Sequence, residues 1–520
     1  MMLILFLLFL TAAAEGGEDD LVAKIPGIIF EPNFKTYSGY LYGNEQKTWK
    51  LHYMLTTSRS NKTTDPVVFW FNVLSGCSSF TGSFQELGPL YVDVDGKQIF
   101  ENVYSWNRNA HLVYLESPVG VGFSYDTTNV HYKQASDNQT MDQNFAAIND
   151  FFSRVQTQFA TNDFYLAGIY IPTLAAKLAR NLQSFSNKNF RGVLIGNGFM
   201  HVKSLMNTLI LWSYYHGQIG GDEWTVLKKE CCQKPQDGDT DDCDWMSWLK
   251  TSNGLDYRAD EATKCGKIIN RIINADSAID PYNFYEDCYA EKKNASLYRQ
   301  SERAQKNPAA FFNRQSTDGL SGYPCVSGSN ALTYFNRTDF IDAFHIDKTF
   351  YSAGGYFDDC SDEVYNNYAV QYNDTSSLFD VILDTLSNFK ILIVNGDVDT
   401  VCNFLGDARF IQMIADKRKI SSTPRTTWYF RNRVGGYVQR YKDEKNSVID
   451  VLTVKGAGHM HMLDRPGPAL QMFERFLSGA NNYGEANSTD PGVPLALPLV
   501  GNSAIKLTAS LFLTLFLLFQ

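Results

Sequence analysis

The sequence predicts an α/β fold in which helices flank a mostly parallel central sheet and a disulfide-stapled cap subdomain is inserted. Five near-continuous apolar runs predict strands that are covered on both faces. Helical segments lie between several of these runs, and such alternation is typical of a parallel sheet. Five of the nine cysteines fall between residues 231 and 288, where the alternation stops, and they predict the insertion.

Short runs of β-branched and aromatic residues define the strands. The predicted buried strands are 66–71, 111–115, 163–167, 192–195 and 390–394, and residues 50–56 form a strand of alternating pattern. Apolar residues at helical spacing predict helices over 141–158, 173–180 and 469–477. In parallel sheets the functional residues follow the carboxyl ends of the strands, so we expect the site at those positions.

The strand pattern divides the chain into five parts. Residues 1–14 form a signal peptide, 24–199 the first part of the core, 200–335 the cap, 336–480 the second part of the core, and 481–520 a polar linker with an apolar tail. Within the cap, residues 200–330 are polar and rich in cysteine, and we expect irregular structure there.

Composition and processing signals indicate the secretory pathway. The net charge of −10, without a stripe of Lys or Arg, argues against a nucleic-acid partner. The apolar run of 1–14 ends in small residues, as secretory signals do; a buried core helix is the less favoured alternative. Six sequons predict a glycosylated surface. They begin at Asn61, Asn138, Asn294, Asn336, Asn373 and Asn487.

The cysteines are expected to pair in an oxidising compartment, and their odd number leaves at least one thiol free. A zinc site is disfavoured because the chain has no C-x2-C pair and only eight histidines. We therefore expect no metal and no cofactor.

The C-terminal tail has three interpretations. Residues 507–519 are apolar, but they are fewer than the roughly 20 needed to cross a bilayer as a helix. A GPI-attachment signal fits best, because small polar residues precede an apolar end. Two other interpretations remain open, namely a membrane anchor and a tail without a membrane role. The sequence does not indicate an oligomeric state.

Three polar residues that follow predicted strands carry the chemistry. Asp397 and Asp399 come directly after the 390–394 strand, where a carboxylate can orient an imidazole. His459 follows another strand within Gly-Ala-Gly-His, and its small neighbours leave room for a substrate. Aspartate before histidine, with a nucleophile expected earlier, is the chain order of the α/β-hydrolase triad. A metal role for nearby His461 is disfavoured, since no other ligand-type residue lies close by in the sequence.

A Gly/Ser-rich loop follows the 66–71 strand and supplies Asn72 and Glu86. Such a loop can hold an oxyanion site or bind a carboxylate, although an ordinary surface loop explains this stretch alone equally well.

Together these motifs resemble the serine carboxypeptidases, the cathepsin A and carboxypeptidase Y family. The resemblance covers roughly residues 24–480. The matching motifs are Tyr37-Ser-Gly-Tyr-Leu, Cys77-Ser-Ser, Glu86-x-Gly-Pro, Trp106-Asn, the run from Glu116 to Tyr125, Ile195-Gly-Asn-Gly198, Asn395-Gly-Asp-Val-Asp399 and Gly456-Ala-Gly-His-Met460.

The resemblance implies an α/β-hydrolase fold that removes C-terminal residues from peptides at acidic pH without metal. By position, Asp399 is the triad acid, His459 is the base, and Asn72 and Glu86 bind the substrate's terminal carboxylate. It also leaves Cys402 unpaired, while the secretory signal leaves a lysosomal and an extracellular location open. The implied disulfides are Cys77–Cys360, Cys231–Cys265, Cys232–Cys243 and Cys288–Cys325.

The chain departs from the family where the nucleophile belongs. The family's Gly-Glu-Ser-Tyr turn is absent between Gly168 and Ile169, and no G-x-S-x-G occurs anywhere. Val73 and Leu74 replace glycines of the family's oxyanion loop. Both changes predict an inactive carboxypeptidase.

Three alternatives remain open. The first is an active enzyme whose given sequence carries an isoform or gene-model lesion. The second is an isoform that misfolds because a turn at the central strand is lost. The third is a replacement nucleophile, for which Ser75 is the best candidate, ahead of Ser78, Ser124 and Thr173.

Overall fold

A twelve-stranded sheet forms the centre of the protein, which is described by a computed structural model over residues 17–72, 76–93, 96–168, 171–232, 243–274, 279–285, 329–484 and 497–498. Successive parallel pairings join its central strands. In spatial order these are Val448–Val454, Lys390–Gly396, Phe190–Gly196, Phe164–Gly168, Val67–Phe71 and His111–Leu115. The predicted α/β class with a mostly parallel sheet is confirmed.

Antiparallel strands extend the sheet at both edges. Arg433–Lys442 pairs with Val448–Val454, and Ser421–Ser422 and Thr426–Phe430 pair with Arg433–Lys442. At the other edge, Trp49–Thr56 pairs with His111–Leu115, and Thr36–Tyr42 and Tyr125–Asp126 pair with Trp49–Thr56. Smaller two-stranded sheets join Phe30–Glu31 to Leu497–Pro498, Leu90–Val92 to Ile99–Glu101, Ala135–Ser136 to Tyr368–Ala369, and Leu249–Thr251 to Tyr257–Ala259.

The two faces of the sheet are covered by separate apolar cores. Along Val67–Phe71, the side chains of Val68 and Trp70 belong to one core. Val67, Phe69 and Phe71 belong to the other. Because side chains alternate along a strand and both faces are buried, the strand has a continuous apolar run instead of an alternating pattern.

Helices cover both faces and the edges of the sheet. The α-helices are Ser79–Thr81, Asp137–Asp150, Ile171–Asn181, Val202–Tyr215, Gly221–Val226, Lys264–Ile273, Ser329–Phe335, Thr338–Ala343, Lys348–Ser352, Asp362–Asn366, Ser376–Thr385, Phe404–Arg418, His461–Asp464 and Pro466–Ser478. Wider π-type turns span Gly82–Glu86, Phe151–Val155 and Leu227–Cys231, and 3-10 turns span Gly17–Asp20, Trp106–Arg108, Thr157–Phe159, Leu182–Ser184 and Trp245–Trp248. The first long helix begins at Asp137 because the Ser136 side chain accepts a hydrogen bond from the backbone N–H of Gln139.

The expectation of irregular structure after residue 200 is wrong for three described segments. These α-helices are Val202–Tyr215, Gly221–Val226 and Lys264–Ile273. Val202–Tyr215 is buried on most of its circumference, so its sequence lacks the one-sided apolar pattern of a surface helix. These helices share a core with Trp224 and Trp245 that is separate from the two cores of the sheet.

Three of the four disulfides that the resemblance implies are present. Cys231–Cys265 and Cys232–Cys243 lie in the region after residue 200, and Cys77–Cys360 joins two distant segments of the core. Cys402 is a buried free thiol. The fourth pair, Cys288 with Cys325, lies outside the described residues, as do the signal segment 1–14 and the tail 507–519. Within the described part of the chain, no helix has the length and apolar character needed to cross a membrane.

A buried polar network joins the strand Trp49–Thr56 to the segment that follows His111–Leu115. Glu116 is fully buried, and its Oε2 lies 2.9 Å from His52 Nδ1 and accepts a 3.0 Å hydrogen bond from the Phe123 N–H. Its other oxygen accepts from the Ser78 hydroxyl, and His52 Nε2 lies 2.9 Å from the Ser38 hydroxyl. One carboxylate therefore satisfies donors from three separate segments.

Replacing Glu116 by Ala should reduce the free energy of unfolding by about 3–5 kcal/mol, because several buried donors lose their acceptor at once. Asp163 is the matched control, since its ion pair with Arg191 is about half exposed. Asp163→Asn should change stability by less than about 1 kcal/mol. Urea unfolding followed by tryptophan fluorescence measures both, and equal effects of the two substitutions would contradict the structural role of Glu116.

Candidate active site

The loops that follow the central parallel strands meet at one edge of the sheet. Gly168 pairs with Phe71, and Gly396 pairs with Val454, so these strands end at the same level. Asp399 and His459 lie in the loops after the last two of those strands. The edge is where ligands bind in parallel α/β sheets.

Asp399 and His459 form a hydrogen-bonded pair. His459 Nδ1 lies 2.8 Å from Asp399 Oδ2, and both side chains are at most 1% exposed. The other oxygen of Asp399 accepts hydrogen bonds from the N–H groups of Val401 at 2.8 Å and Cys402 at 3.3 Å. His459 Nε2 has no hydrogen-bond partner among the described residues. An imidazole held in this way presents Nε2 as a general base.

Backbone packing holds the His459 loop against the end of the Asp399 strand. A Cβ on Gly396 would lie 2.0 Å from the carbonyl oxygen of Gly458, so only glycine fits there. The His459 N–H donates a 2.7 Å hydrogen bond to the carbonyl of Tyr282. The Tyr282 ring stands edge-on to the imidazole, with a centroid separation of 5.0 Å.

Asn197 also supports His459. It follows the strand Phe190–Gly196, which lies beside the strand that precedes Asp399. Its side-chain amide donates a hydrogen bond to the carbonyl oxygen of His459. Its backbone is left-handed, with φ of 51°, a conformation that Asn adopts more readily than most residues. Its position within Ile195-Gly-Asn-Gly198 does not reveal this role, because only the fold brings Asn197 to His459.

Asp407 is a second supporting residue that the sequence did not identify. Its Oδ2 accepts hydrogen bonds from Asn395 Nδ2 at 2.9 Å and from the Gly198 N–H at 3.0 Å. It thus ties the strand Lys390–Gly396 to the loop after the neighbouring strand Phe190–Gly196. Complete burial raises the pKa of Asp407 from 3.8 to about 8.

The strand–helix junction at Gly168 faces the same site. Gly168 has a φ of 133°, and a Cβ there would lie 2.1 Å from the carbonyl of Phe71. The helix begins at Ile171, and its first turn brings Pro172 and Thr173 to the cavity that His459 lines. The two intervening residues, 169 and 170, lie outside the described residues, as do 73–75 of the loop after Phe71.

A cavity of about 450 Å³ opens beside His459. Its described lining is rich in tyrosine and carboxylate side chains. It consists of Cys77, Asp137, Pro172, Thr173, Phe199, Leu255, Asp256, Tyr282, Cys360, Ser361, Asp362, Tyr365, Tyr368, Val370, Tyr372, Thr375, Val401, Cys402 and His459. The volume is in the range of small-ligand pockets.

Asn72 and Glu86 lie near the site but do not line this cavity. Asn72 directly follows the strand end at Phe71, and its Oδ1 accepts a 3.3 Å hydrogen bond from Trp70 Nε1. Glu86 is 2% exposed, and its Oε2 has no hydrogen-bond partner among the described residues. Desolvation raises the pKa of Glu86 from 4.5 to about 7, and the nearby charge of His459 opposes this shift.

His461 is a fully buried neutral imidazole. Neither ring nitrogen has a hydrogen-bond partner among the described residues. Burial, assisted by the charge of His459, lowers the pKa of His461 from 6.5 to about 3. Within the described part of the chain, no three metal-ligating side chains come together here or elsewhere.

The hydroxyl groups considered as replacement nucleophiles have different surroundings. Ser78 donates to Glu116 and caps the short helix that follows it, and Ser124 donates to the Glu116 carbonyl at 2.7 Å. Both hydroxyls belong to the buried network of Glu116. Ser75 lies outside the described residues, and Thr173 shares the cavity with His459.

Comparisons with known proteins find similar sequences and a similar solved structure among the carboxypeptidases. A family model described as "Serine carboxypeptidase" matches residues 26–479. Serine carboxypeptidase ctsa-3.1 of Caenorhabditis elegans is 40% identical over 96% of this chain and 96% of its own length. The lysosomal protective protein of Mus musculus is 31% identical over 92% of this chain and 98% of its own length. The prohormone-processing carboxypeptidase Kex1 of Saccharomyces cerevisiae matches in structure with a TM-score of 0.63 at 18% identity, covering 89% of this chain and 96% of that one.

Asp407 should make stability depend on pH. Because its pKa is about 8 in the folded protein and near 3.8 when unfolded, the folded state binds the extra proton between these values. The free energy of unfolding therefore falls as pH rises through this window. Asp407→Asn keeps a hydrogen-bond acceptor and removes the titration, so its stability should fall less. Urea midpoints across the window measure the slopes, with Asp163→Asn as control; identical slopes for wild type and Asp407→Asn would refute the assignment.

Proposed function

We propose that this chain, which belongs to the serine carboxypeptidase family, binds peptide C-termini without hydrolysing them. One observation carries the proposal. Gly168 ends a central strand where the family places its nucleophile turn, yet the chain continues as Ile169-Tyr-Ile-Pro without a serine. The Asp399–His459 pair is intact, but the sequence of that turn offers it no serine.

The chemistry explains why the loss is severe. The nucleophile elbow supplies both the attacking oxygen and one N–H of the oxyanion hole, so its absence removes two functions. Removing a triad nucleophile typically costs about 10⁶ in kcat. Val73 and Leu74 add a second lesion, since glycines are used where a backbone must approach a substrate closely.

Binding does not require the missing turn. Glu86 is buried, its Oε2 has no partner among the described residues, and its pKa is raised to about 7. At acidic pH it is a neutral acid that donates a hydrogen bond to a peptide's terminal carboxylate. Asn72, at the adjoining strand end, supplies a side-chain amide for the same group.

The alternative is an active serine carboxypeptidase whose given sequence carries an isoform or gene-model lesion. The close packing of Gly396, Gly458 and Asn197 around an intact Asp399–His459 pair favours it, because an unused dyad needs no such support. Sequencing the transcript across codons 70–80 and 160–175 separates the two. Both lesions in the transcript would eliminate the alternative, and a serine codon in the second interval would overturn the inactive assignment.

The proposed location is the secretory pathway, with the lysosome or the cell surface as destination. Segment 1–14 is the proposed signal, and one relative is named a lysosomal protective protein. Asn61, Asn336 and Asn373 are exposed and Asn138 is partly exposed, so glycans can be attached to this surface; Asn294 and Asn487 lie outside the described residues. The apolar tail 507–519 is the proposed membrane attachment signal.

The purified protein should not react with a fluorophosphonate probe, because no described hydroxyl is hydrogen-bonded to His459 Nε2. Of the two replacement candidates outside the network of Glu116, Thr173 is the described one and shares the cavity with His459, so Thr173→Val is the informative variant, since it removes the hydroxyl and preserves the shape. Labelling of the wild type that is lost in Thr173→Val would overturn the proposal and identify Thr173 as a nucleophile. Labelling that survives in Thr173→Val and is lost in Ser75→Ala would identify Ser75 instead.

Peptide binding should weaken as pH rises through about 7, where Glu86 loses its proton and repels a carboxylate. Glu86→Gln donates a hydrogen bond at every pH, so its affinity should vary less. Fluorescence anisotropy of a labelled peptide, with its C-terminal amide as the negative control, measures the effect. Equal binding of acid and amide would show that the carboxylate is not recognised.

A further inference from the structure

A second cavity, of about 630 Å³, lies beside the first described residues of the chain. We call it the N-terminal groove. Most of its lining is apolar, and the lining residues are Leu21, Val22, Ala23, Lys24, Ile25, Gly27, Ile28, Phe30, Pro32, Phe34, Lys35 and Thr36. A continuous apolar groove of this kind commonly marks a place where another segment or molecule binds.

The N-terminal groove lies at the end of the sheet opposite the Asp399–His459 pair. Its residue Thr36 pairs with Thr56, and Thr56 pairs with Leu112 near the start of a central strand. The start of that strand is level with the amino-terminal end of its parallel neighbour, whereas the dyad follows the carboxyl ends of the parallel strands. The groove is therefore separate from the cavity beside His459.

The C-terminal part of the chain reaches the N-terminal groove. Leu497 pairs with Glu31 and Pro498 pairs with Phe30, and the two short strands are antiparallel. Phe30 is one of the lining residues. Because the strands are antiparallel, the chain that follows Pro498 is directed toward Ile28, which lines the groove as well.

The first segment has a backbone edge on which a longer strand can pair. The Ile29 N–H donates a 3.2 Å hydrogen bond to the Ile99 carbonyl, and the Ile99 N–H donates a 2.9 Å hydrogen bond to the Gly27 carbonyl. Backbone groups of successive residues in an extended chain point to opposite sides, so those of Ile28 and Phe30 face away from Ile99. Phe30 already has a strand partner on that side, and Ile28 is the next position along it.

The sequence after Pro498 suits such a strand. It reads Leu499-Val-Gly-Asn-Ser-Ala-Ile505, and it is followed by Lys506 and the apolar tail 507–519. The stretch has no proline and no charged residue, and it begins and ends with apolar side chains. As an extended strand it is about 23 Å long.

We propose that residues 499–505 of this chain occupy the N-terminal groove as a continuation of the strand Leu497–Pro498. The antiparallel register places Val500 opposite Ile28, on the face that also carries Phe30. Leu499 is opposite Ile29 and points to the other face. The apolar tail 507–519 then leaves the fold beside this groove, so a membrane that holds the tail lies at the end of the sheet away from the dyad.

Paired cysteine substitutions test the register in the full chain. Ile28→Cys with Val500→Cys should form a disulfide, because directly opposite residues of antiparallel strands have Cβ atoms about 5 Å apart, near the separation that a disulfide needs. The control is Ile28→Cys with Leu499→Cys, which points the second thiol to the other face and should lose most of the cross-link. Mass spectrometry of tryptic peptides prepared without reduction measures both. The single variants should keep the wild-type melting temperature, since Ile28 is partly exposed.

The possible outcomes separate the occupants of the groove. A cross-link within one chain, in the 28–500 pair only, supports the inference, and equal cross-linking of both pairs or of neither would overturn it. A cross-linked dimer would assign the groove to the tail of a second copy and overturn docking within the chain.

Two measurements on the unaltered protein are independent of the cysteines. Peptides that cover residues 499–505 should be protected from amide hydrogen exchange, and rapid exchange there would contradict docking. An intact mass that lacks residues 499–520 would also overturn the inference, because the occupant would then be absent from the mature protein. Neither result bears on the proposed binding of peptide C-termini at the other end of the sheet.

Discussion

The site depends on the close approach of two backbones at the end of the sheet. Gly396 ends the strand that carries Asp399, and it lies so near Gly458 that no side chain fits between them. A further hydrogen bond joins the Val398 N–H to the Ala457 carbonyl at 3.0 Å. The 2.8 Å contact between His459 and Asp399 follows from this packing, because it fixes both loops before any side chain is placed.

Much of the fold can be read from local sequence because it rests on burial. The strand Val67–Phe71 is apolar throughout because both of its faces are covered, and that pattern is visible without any tertiary information. Val202–Tyr215 escaped prediction for a related reason, since burial around most of its circumference leaves no amphipathic stripe. Its helical state is set by partners distant in the sequence.

The residues of the site likewise include some that the sequence identifies and some that only the fold reveals. Asp399 and His459 follow strands and were identifiable, whereas Asn197 and Asp407 act on loops that the fold brings to them. Burial also favours the neutral form of two nearby carboxyl groups, since it raises the pKa of Glu86 and of Asp407 well above the usual carboxyl range. Neutral acids around the dyad limit the repulsion that Asp399 experiences. No sequence pattern reports such desolvation, because it depends on what covers the side chain.

Part of the wall of the cavity beside His459 is the Cys77–Cys360 disulfide, so this wall is complete only when both thiols have been oxidised. Its two cysteines are 283 residues apart, and both line the cavity. Closing so long a loop in the unfolded chain is worth about 5 kcal/mol in the chain-entropy view. One wall of the cavity is therefore complete only after the second half of the chain has been synthesised and oxidised. A copy that remained in a reducing compartment would lack this covalent closure even if its sheet had formed, so the finished wall of the cavity depends on oxidation as well as on folding.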